Sequence, residues 1–212
     1  MGLRHGCGYQ HPRGSVSRLS IVAHRPHSNA SYLLDGRRRY VSRGFAEVDI
    51  QAQPDFTFAL IAVHLKSRRT EPEADEAEMR LSEANILRGI VDNHFKTDPG
   101  ARLIVLGDFN DVKNSDSTKA IIGHGRFRLT DTRPAERNGD NVLNPIPRFD
   151  PRNVTWTHYY GLEDSYSRID YILLSPALAR DWVTNETYVA TVPNWGLGSD
   201  HRPIVVTLAT GD

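Results

Sequence analysis

Two apolar runs separated by a long amphipathic segment constrain the fold of this chain more than any other feature. Residues 56–65 (FTFALIAVHL) are almost continuously apolar, which predicts a central strand buried on both faces. Residues 103–106 (LIVL) predict a second strand that ends at Gly107. Between them, residues 71–95 repeat apolar side chains at spacings of three and four, which predicts a helix. A helix between strands favours a layered α/β or α+β sheet protein.

Further short runs indicate that the protein is rich in strands. The predicted strands are residues 19–23, 45–51, 169–174 and 204–208, with 155–157 as an additional candidate. In residues 45–51 apolar side chains alternate with Glu47 and Asp49, so we expect both acids to face solvent. Thr70 and Glu73 fit a capping box at the start of the helix, and its acidic first turns complement the helix dipole.

Composition narrows the class of protein. A chain of 212 residues buries about 70% of its unfolded surface, enough for one domain or two small ones. The 26 basic residues balance 26 acidic ones, so no overall charge attracts nucleic acid. Cys7 is the single cysteine, which excludes an internal disulfide framework. No apolar run approaches the roughly 20 residues of a membrane span and no signal peptide is visible, so we expect no membrane span and take the cytoplasm as the default compartment.

The chain divides into a tail and a single domain. Residues 1–17 are interpreted as a flexible tail and residues 18–212 as the folded domain. His5, Cys7 and His11 resemble a small metal cluster, but their irregular spacing in a glycine-rich segment favours no site. Residues 133–153, rich in Pro, Asn and Arg, predict a long surface loop.

A run of three arginines, residues 37–39, beside Tyr40 has two interpretations. Arginine and an aromatic ring are typical of a groove that binds nucleic acid. A charged triplet after the Asp35-Gly36 turn is more often simply solvated, and we favour that interpretation.

Polar residues gather at the ends of three apolar strands, as expected of an active-site rim. They are His64, Asp108 with Asn110, and Asp200 with His201. Each is weak evidence alone, because an aspartate after glycine is commonly a turn residue and a lone histidine is commonly structural. Asp170 differs because it interrupts an apolar strand, where a carboxylate needs a partner; His201 is a candidate for that partner. A paired Asp–His can stabilise developing negative charge or protonate a leaving group.

Four motifs in order resemble the signatures of the endonuclease/exonuclease/phosphatase superfamily. They are VHLKS at 63–67, GDFND at 107–111, RIDYIL at 168–173 and SDHRP at 199–203. The resemblance covers about residues 18–209 and implies a DNase I-like fold, a four-layer α/β/β/α sandwich of metal-dependent phosphodiesterases. Order and approximate spacing together are far more specific than any one motif.

The resemblance also implies roles for individual residues. Asp200 corresponds to an acidic residue that helps to bind the divalent metal, Mg²⁺ or Mn²⁺. His201 corresponds to the histidine that contacts the scissile phosphate, and Asp170 to the aspartate that orients it. Carboxylates hold a hard cation through oxygen, so the implied chemistry is coherent.

The remaining implied roles concern the water and the phosphate. Asp108 corresponds to the aspartate that orients or deprotonates the attacking water, and Asn110 to an asparagine that contacts the phosphate. His64 corresponds to a histidine near the phosphate, and Arg43 resembles an arginine that precedes a strand.

The sequence departs from the family pattern at its start. Family members begin with a strand, a helix and a second strand that ends in a metal-binding glutamate. The first 34 residues here contain no Asp or Glu, so we expect these elements to be missing and the domain to be incomplete at its N-terminus. Uncovered sheet edges should then favour self-association.

The leading functional hypothesis is a divalent-metal-dependent hydrolase of phosphodiester or phosphomonoester bonds, acting by in-line attack of an activated water. The short GDFND-containing chain resembles small nuclease-like members, so the expected partner is a phosphate ester, with nucleic acid among the candidates. The alternative is a catalytically impaired or inactive remnant that binds phosphate or nucleic acid, or a subunit completed by another polypeptide.

Overall fold

The structure, a computed structural model, describes residues 17–136 and 155–210. In these residues the chain forms the following strands and α-helices: β1 Ser20–His24, β2 Ser31–Leu34, β3 Arg37–Tyr40, β4 Ala46–Gln53, β5 Phe56–His64, α1 Glu76–Thr97, β6 Leu103–Asp108, α2 Asp116–Ile122, β7 Thr130–Asp131, β8 Ala135–Glu136, β9 His158–Tyr160, β10 Ser165–Ser167, β11 Asp170–Leu174, β12 Trp182–Val189 and β13 Ile204–Leu208.

A six-stranded mixed sheet forms the centre of the molecule, in the order β1-β4-β5-β6-β11-β7. β5 and β6 are parallel because α1 crosses over between them. β4 pairs with β5, and β11 with β6, in the antiparallel sense. The carboxyl ends of β5 and β6 therefore meet the amino end of β11 at one edge of the sheet.

Alternate residues of the central strands face two different layers. One face packs against α1 and α2 through fully buried side chains, among them Ile61 of β5, Val105 of β6 and Leu87 of α1. The other face packs against a second sheet, ordered β13-β12-β8. Its contacts include Trp182 and Leu208, which lie against a cluster built around the buried Ile104 and Leu174.

The described residues thus form three layers: helices, six-stranded sheet and three-stranded sheet. Both α-helices described here lie on the first sheet, so residues 17–136 and 155–210 place no α-helix on the outer face of the second. The mixed α/β arrangement predicted from the sequence is confirmed. β1 and β13 are edge strands among the described residues, and Ile21 and Val22 of β1 are about half exposed. The expected self-association through such edges stays a prediction.

The helix begins five residues later than predicted, and the capping box at Thr70 and Glu73 is wrong. Asp75 is the N-cap residue, and its side chain accepts hydrogen bonds from the backbone N–H groups of Ala77 and Glu78. Glu71 instead lies in a turn before the helix, where it forms an ion pair with Nζ of Lys66 at 3.2 Å. An aspartate at this position satisfies two N–H groups that the helix itself leaves unpaired.

The expected solvent exposure of Glu47 is also wrong. Its side chain is 2% exposed because α1 covers this face of β4. Arg25, His27 and His94 surround the carboxylate, with the His27 and His94 Nε2 atoms at 2.7 and 3.1 Å from its oxygens. Burial alone would raise the pKa of Glu47, but hydrogen bonds from these three side chains lower it to about 2.

Several expectations fall wholly or partly outside the described residues. The predicted tail and the His5, Cys7 and His11 group lie there, as does most of the predicted 133–153 loop; its first residues include β8. The predicted strand at 155–157 is wrong, since the strand begins at His158. No helix in the described part of the chain is long and apolar enough to cross a membrane.

Candidate active site

Three strand ends bring three of the predicted side chains together. His64 at the end of β5 is in register with Asp108 at the end of β6, and Asp108 is in register with Asp170 at the start of β11. All three side chains alternate with core residues that face the helices, so they lie on the sheet face that carries β12 and β13 farther along. A polar patch therefore begins where the apolar contact between the two sheets ends.

Gly107 allows β5 and β6 to approach closely just before this patch. Its φ of +133° lies in a region that other residues rarely adopt, and an added Cβ would lie 2.0 Å from the carbonyl oxygen of Val63. Glycine is therefore required here, since that oxygen belongs to the neighbouring strand backbone. The close approach fixes the position of Asp108 relative to His64.

Asn110 closes a tight turn around the Asp108 carboxylate. Its φ is +52°, a left-handed conformation that asparagine tolerates better than most residues. Its backbone N–H donates to Oδ1 of Asp108 at 2.7 Å, and its side-chain amide donates to the carbonyl of Leu65 at 3.0 Å. Oδ2 of Asp108 remains 3.3 Å from Nε2 of His64.

His201 reaches the same patch from the segment before β13. Its Nδ1 lies 2.9 Å from Oδ2 of Asp170, the pairing expected from the sequence. This contact turns Nε2 toward Asp108, whose Oδ2 is 3.9 Å away. Asp170 is itself held in place because Oγ1 of Thr157 accepts a hydrogen bond from its backbone N–H at 3.2 Å.

The carboxylates and imidazoles of this patch perturb each other. Burial, together with the nearby charge of Asp170, raises the pKa of Asp108 to about 6. The hydrogen bond that Nδ1 of His201 donates to Asp170 raises the pKa of His201, so its imidazolium form is favoured. The site therefore pairs a carboxylate whose pKa is about 6 with an imidazole whose charged form is favoured, which is typical of acid–base chemistry.

Asp200 and Arg43 lie at the rim of the patch. The Asp200 side chain is 67% exposed, and its Oδ1 is 3.9 Å from Nε2 of His201. Arg43 donates to the carbonyl of Leu65, the same oxygen that the Asn110 side chain contacts. Its positive charge is also close enough to lower the pKa of Asp108 slightly against the effect of burial. The structure thus brings all seven predicted residues into one region.

His158 belongs to this region but was missed by sequence reasoning. It lies in β9 opposite His201, with the two rings 4.7 Å apart, and its Nε2 is 3.6 Å from Oδ2 of Asp200. Burial and the charge of His201 lower its pKa. β9 has only three residues and carries no apolar alternation, so periodicity gave no signal for it.

Two buried ion pairs hold the loops that carry the site. Asp111, the last residue of GDFND, bonds Nε of Arg80 on α1 at 2.9 Å and Oγ of Ser117 at 2.9 Å. Arg202, directly after His201, is fully enclosed with Glu136, and its guanidinium lies over the ring of Trp156. Because of these contacts, Asp111 and Glu136 do not face the polar patch, although Asp111 is close to it in sequence and Glu136 is close to it in space.

The donor set suits a divalent cation. Asp108, Asp170 and Asp200 provide three carboxylates, and two groups of mutually close donors include them: Asp108, Asp170 and His201, and His158, Asp200 and His201. Burial and the nearby charge of Asp170 both disfavour the ionised form of Asp108 and so raise its pKa. A divalent cation bound through carboxylate oxygens would supply positive charge.

Fold and site together define a DNase I-like α/β protein with a polar Asp–His centre. A sequence profile described as the Endonuclease/Exonuclease/phosphatase family matches residues 86–201, which include the GDFND, RIDYIL and SDH motifs. The chain therefore belongs to that family, as its motifs predicted. Members of the superfamily are hydrolytic enzymes, nucleases and phosphatases among them.

Solved structures agree on the fold. The catalytic domain of human Nocturnin, solved with a bound sulfate anion, aligns with 90% of this chain at 16% identity and a TM-score of 0.53. A mannosyl-6-phosphatase from Bacteroides thetaiotaomicron aligns with 90% at 19% identity and a TM-score of 0.52. Sphingomyelinase C from Streptomyces griseocarneus aligns with 91% at 17% identity and a TM-score of 0.50. The chain spans 61%, 67% and 63% of these three structures, respectively. No curated protein matched the sequence.

Proposed function

We propose that the protein is a divalent-metal-dependent hydrolase of phosphate esters, acting on phosphodiester bonds in a nuclease-like reaction or on phosphomonoesters. The observation that carries the proposal is the pairing of Asp108, whose pKa is raised to about 6, with His201, whose charged form Asp170 stabilises. A base that titrates near neutral pH and a fixed cation are the two groups that water attack on a phosphate ester requires.

Asp108 acts as the base. Its Oδ1 is fixed by the Asn110 backbone N–H, which leaves Oδ2 to accept a proton from water. As the water oxygen bonds to phosphorus, its proton moves to Asp108, and the P–O bond to the leaving oxygen breaks with its electron pair. With a pKa near 6, the carboxylate is ionised at neutral pH and is still basic enough to take part.

Cationic and neutral donors stabilise the phosphoryl group. His201 presents Nε2 to the site while Nδ1 is held by Asp170, so its positive charge is oriented before substrate binds. His64 lies 3.3 Å from Asp108 on the other side, and Arg43 adds charge at the rim. Asn110 contributes its side chain to the same region. His201 is also placed to protonate the leaving oxygen.

We assign the metal, Mg²⁺ or Mn²⁺, to the rim of the site. Asp200 would hold it, because this carboxylate is both the most exposed of the three and within 3.9 Å of His201. When bound, a divalent ion supplies positive charge that neutralises phosphate oxygens and the leaving group.

An aromatic side chain on the site's face of β9 supports nucleic acid as the substrate. Tyr160 lies on the same face of β9 as His158, and the two rings stack with centroids 6.4 Å apart. Tyr160 is 41% exposed. Exposed rings next to a phosphate site can stack on nucleobases. Arg37 and Arg39 contribute less to this proposal, since both contact Glu73 of the same chain.

A second candidate is a protein that binds phosphate or nucleic acid with little or no turnover, or a subunit completed by another polypeptide. The position of Glu47 favours it: this buried glutamate lies on the helix face of β4 and is held by Arg25, His27 and His94. It is therefore not available to the site, whose described carboxylates are the three aspartates.

The test is hydrolysis of bis-p-nitrophenyl phosphate and of plasmid DNA with Mg²⁺ or Mn²⁺ and with EDTA. We expect metal-dependent hydrolysis that His201→Ala lowers by about 10²- to 10⁴-fold. His124→Ala is the matched control, because His124 is an exposed histidine in the turn after α2. Hydrolysis indifferent to His201→Ala contradicts the assigned site. A folded chain that binds inorganic phosphate but hydrolyses neither substrate supports the second candidate.

A further inference from the structure

His158 is held next to Asp200 by the backbone. β9 pairs with the segment that carries Asp200 and His201: the Tyr159 N–H donates to the Asp200 carbonyl at 3.1 Å, and the Arg202 N–H donates to the Thr157 carbonyl at 2.6 Å. His158 and His201 face each other across this pairing, so their side chains project on the same side. The position of the His158 ring therefore follows from strand pairing.

The distance between the two side chains suits a shared ion. Nε2 of His158 and Oδ2 of Asp200 are 3.6 Å apart. Two ligands at tetrahedral angles, each about 2.1 Å from one metal, lie about 3.4 Å apart. Each of His158, Asp200 and His201 offers a ligand atom within 4.8 Å of the others. A small change of side-chain torsion would bring the first two into the same coordination sphere.

We infer that His158 and Asp200 bind the catalytic ion together, and that the site consequently prefers ions that accept imidazole nitrogen, such as Mn²⁺, Co²⁺ and Zn²⁺, over Mg²⁺. The inference rests on the metal dependence in the proposed function, to which it adds a ligand and a metal class. Imidazole suits later first-row ions, whereas Mg²⁺ is bound almost entirely through oxygen.

His158 fits this role better than His201. His201 is already close to three carboxylates, Asp170 at Nδ1 and both Asp108 and Asp200 near Nε2, and in the proposed function it contacts the phosphate. Nε2 of His158 is closer to Asp200, at 3.6 Å, than Nε2 of His201 is, at 3.9 Å, and at this exposed rim an ion can keep water or substrate oxygens as further ligands. His158 therefore supplies a nitrogen ligand without removing His201 from the phosphate.

Electron paramagnetic resonance of the Mn²⁺-loaded full chain tests this ligand directly. Loss of the free-ion signal during titration gives the affinity, and spin-echo modulation reveals a directly bound ¹⁴N. We expect ¹⁴N modulation in the native chain, and in His158→Gln we expect its loss with an affinity at least about tenfold lower. His124→Gln is the control and should leave both readouts unchanged. Circular dichroism checks folding, and His158→Asn serves as a second variant.

Competition by Mg²⁺ gives the metal preference. The native chain should require a far higher concentration of Mg²⁺ than His158→Gln to displace the same bound Mn²⁺. Bound Mn²⁺ without ¹⁴N modulation, or a modulation that survives in both His158 variants, overturns the inference and leaves metal dependence intact. A native chain that binds no Mn²⁺ overturns the metal dependence itself, and the inference with it.

Discussion

The two faces of the central sheet each carry a buried carboxylate next to histidine, yet the two carboxylates behave in opposite ways. On the helix face, the pKa of Glu47 is lowered to about 2. On the other face, the pKa of Asp108 is raised to about 6. Both side chains are largely removed from solvent, so burial, which raises the pKa of either group, does not explain the difference.

The difference lies in the contacts that each carboxylate makes. Glu47 accepts hydrogen bonds from the side chains of Arg25, His27 and His94. The imidazoles of His64 and His201 lie farther from Asp108, at 3.3 and 3.9 Å, and the charge of Asp170, a second carboxylate, acts on it as well. A carboxylate whose negative charge is fully stabilised by its neighbours contributes to the stability of the fold. A carboxylate whose charge is only partly stabilised retains the capacity to bind a proton or a cation. These contacts therefore separate the structural cluster around Glu47 from the proposed catalytic one around Asp108.

The largest expected effect is on the rate of hydrolysis, when the Asp108 carboxylate is replaced by a neutral amide. Asp108→Asn should lower phosphate-ester hydrolysis by about 10²- to 10⁴-fold, because the base is lost. The same variant should be more stable at neutral pH by about 3 kcal/mol, since the raised pKa of Asp108 means that folding disfavours its ionised form. Initial rates and urea denaturation in EDTA measure the two effects. If Asp108→Asn loses both activity and stability, the ionised Asp108 side chain stabilises the fold, and the contrast with Glu47 is wrong.

Replacing Glu47 should have the opposite effect on stability. Glu47→Gln removes a charge that three side chains stabilise, so we expect a loss of about 3 kcal/mol in the free energy of unfolding. For a chain of this size that corresponds to a melting temperature about 6–12 °C lower. Calorimetry measures the shift. Hydrolysis per folded molecule should not change, so a proportionate loss of kcat at a temperature where the variant is folded counts against a purely structural role.

The sequence was sufficient to predict which residues meet in the candidate site, but not the cluster around Glu47. His64 and Asp108 end apolar strands, Asp170 interrupts one and His201 precedes one, and the carboxyl ends of the parallel strands β5 and β6 meet at the same edge of the sheet. Glu47 obeys the alternation of an exposed position equally well, because alternation identifies two faces without revealing that both are covered. The covering residue, His94, is 47 positions away on α1. Only tertiary packing brings it to β4.

Short and polar elements account for the other errors. β9 and β10 are three residues each, and β2 and β3 form a short hairpin that includes the arginine triplet and that no periodicity predicts. The helix start was placed too early because Thr70 and Glu73 satisfy a local pattern, although Lys66 binds Glu71 in a separate turn. The proximity of His158 to the site follows only from the strand pairing that places it opposite His201.

The pH dependence of stability provides a smaller but sharper test of the comparison. Glu47 has a lowered pKa, so its stabilisation is present above about pH 4.5 and disappears as the pH falls toward 2. Asp108 has a raised pKa, so the native chain matches Asp108→Asn below about pH 4 and becomes the less stable of the two as the pH rises through 6. Urea denaturation of the native chain and both variants in EDTA, from pH 3 to 8, measures both differences. As the pH falls from 6 to 4, the difference in the free energy of unfolding between Asp108→Asn and the native chain should largely disappear. The difference between Glu47→Gln and the native chain should begin to shrink only below about pH 4.5. A different result would contradict this comparison: the native chain is more stable than both variants, and both differences disappear over the same pH interval. Asp108 would then be a carboxylate that folding stabilises in its ionised form, as Glu47 is.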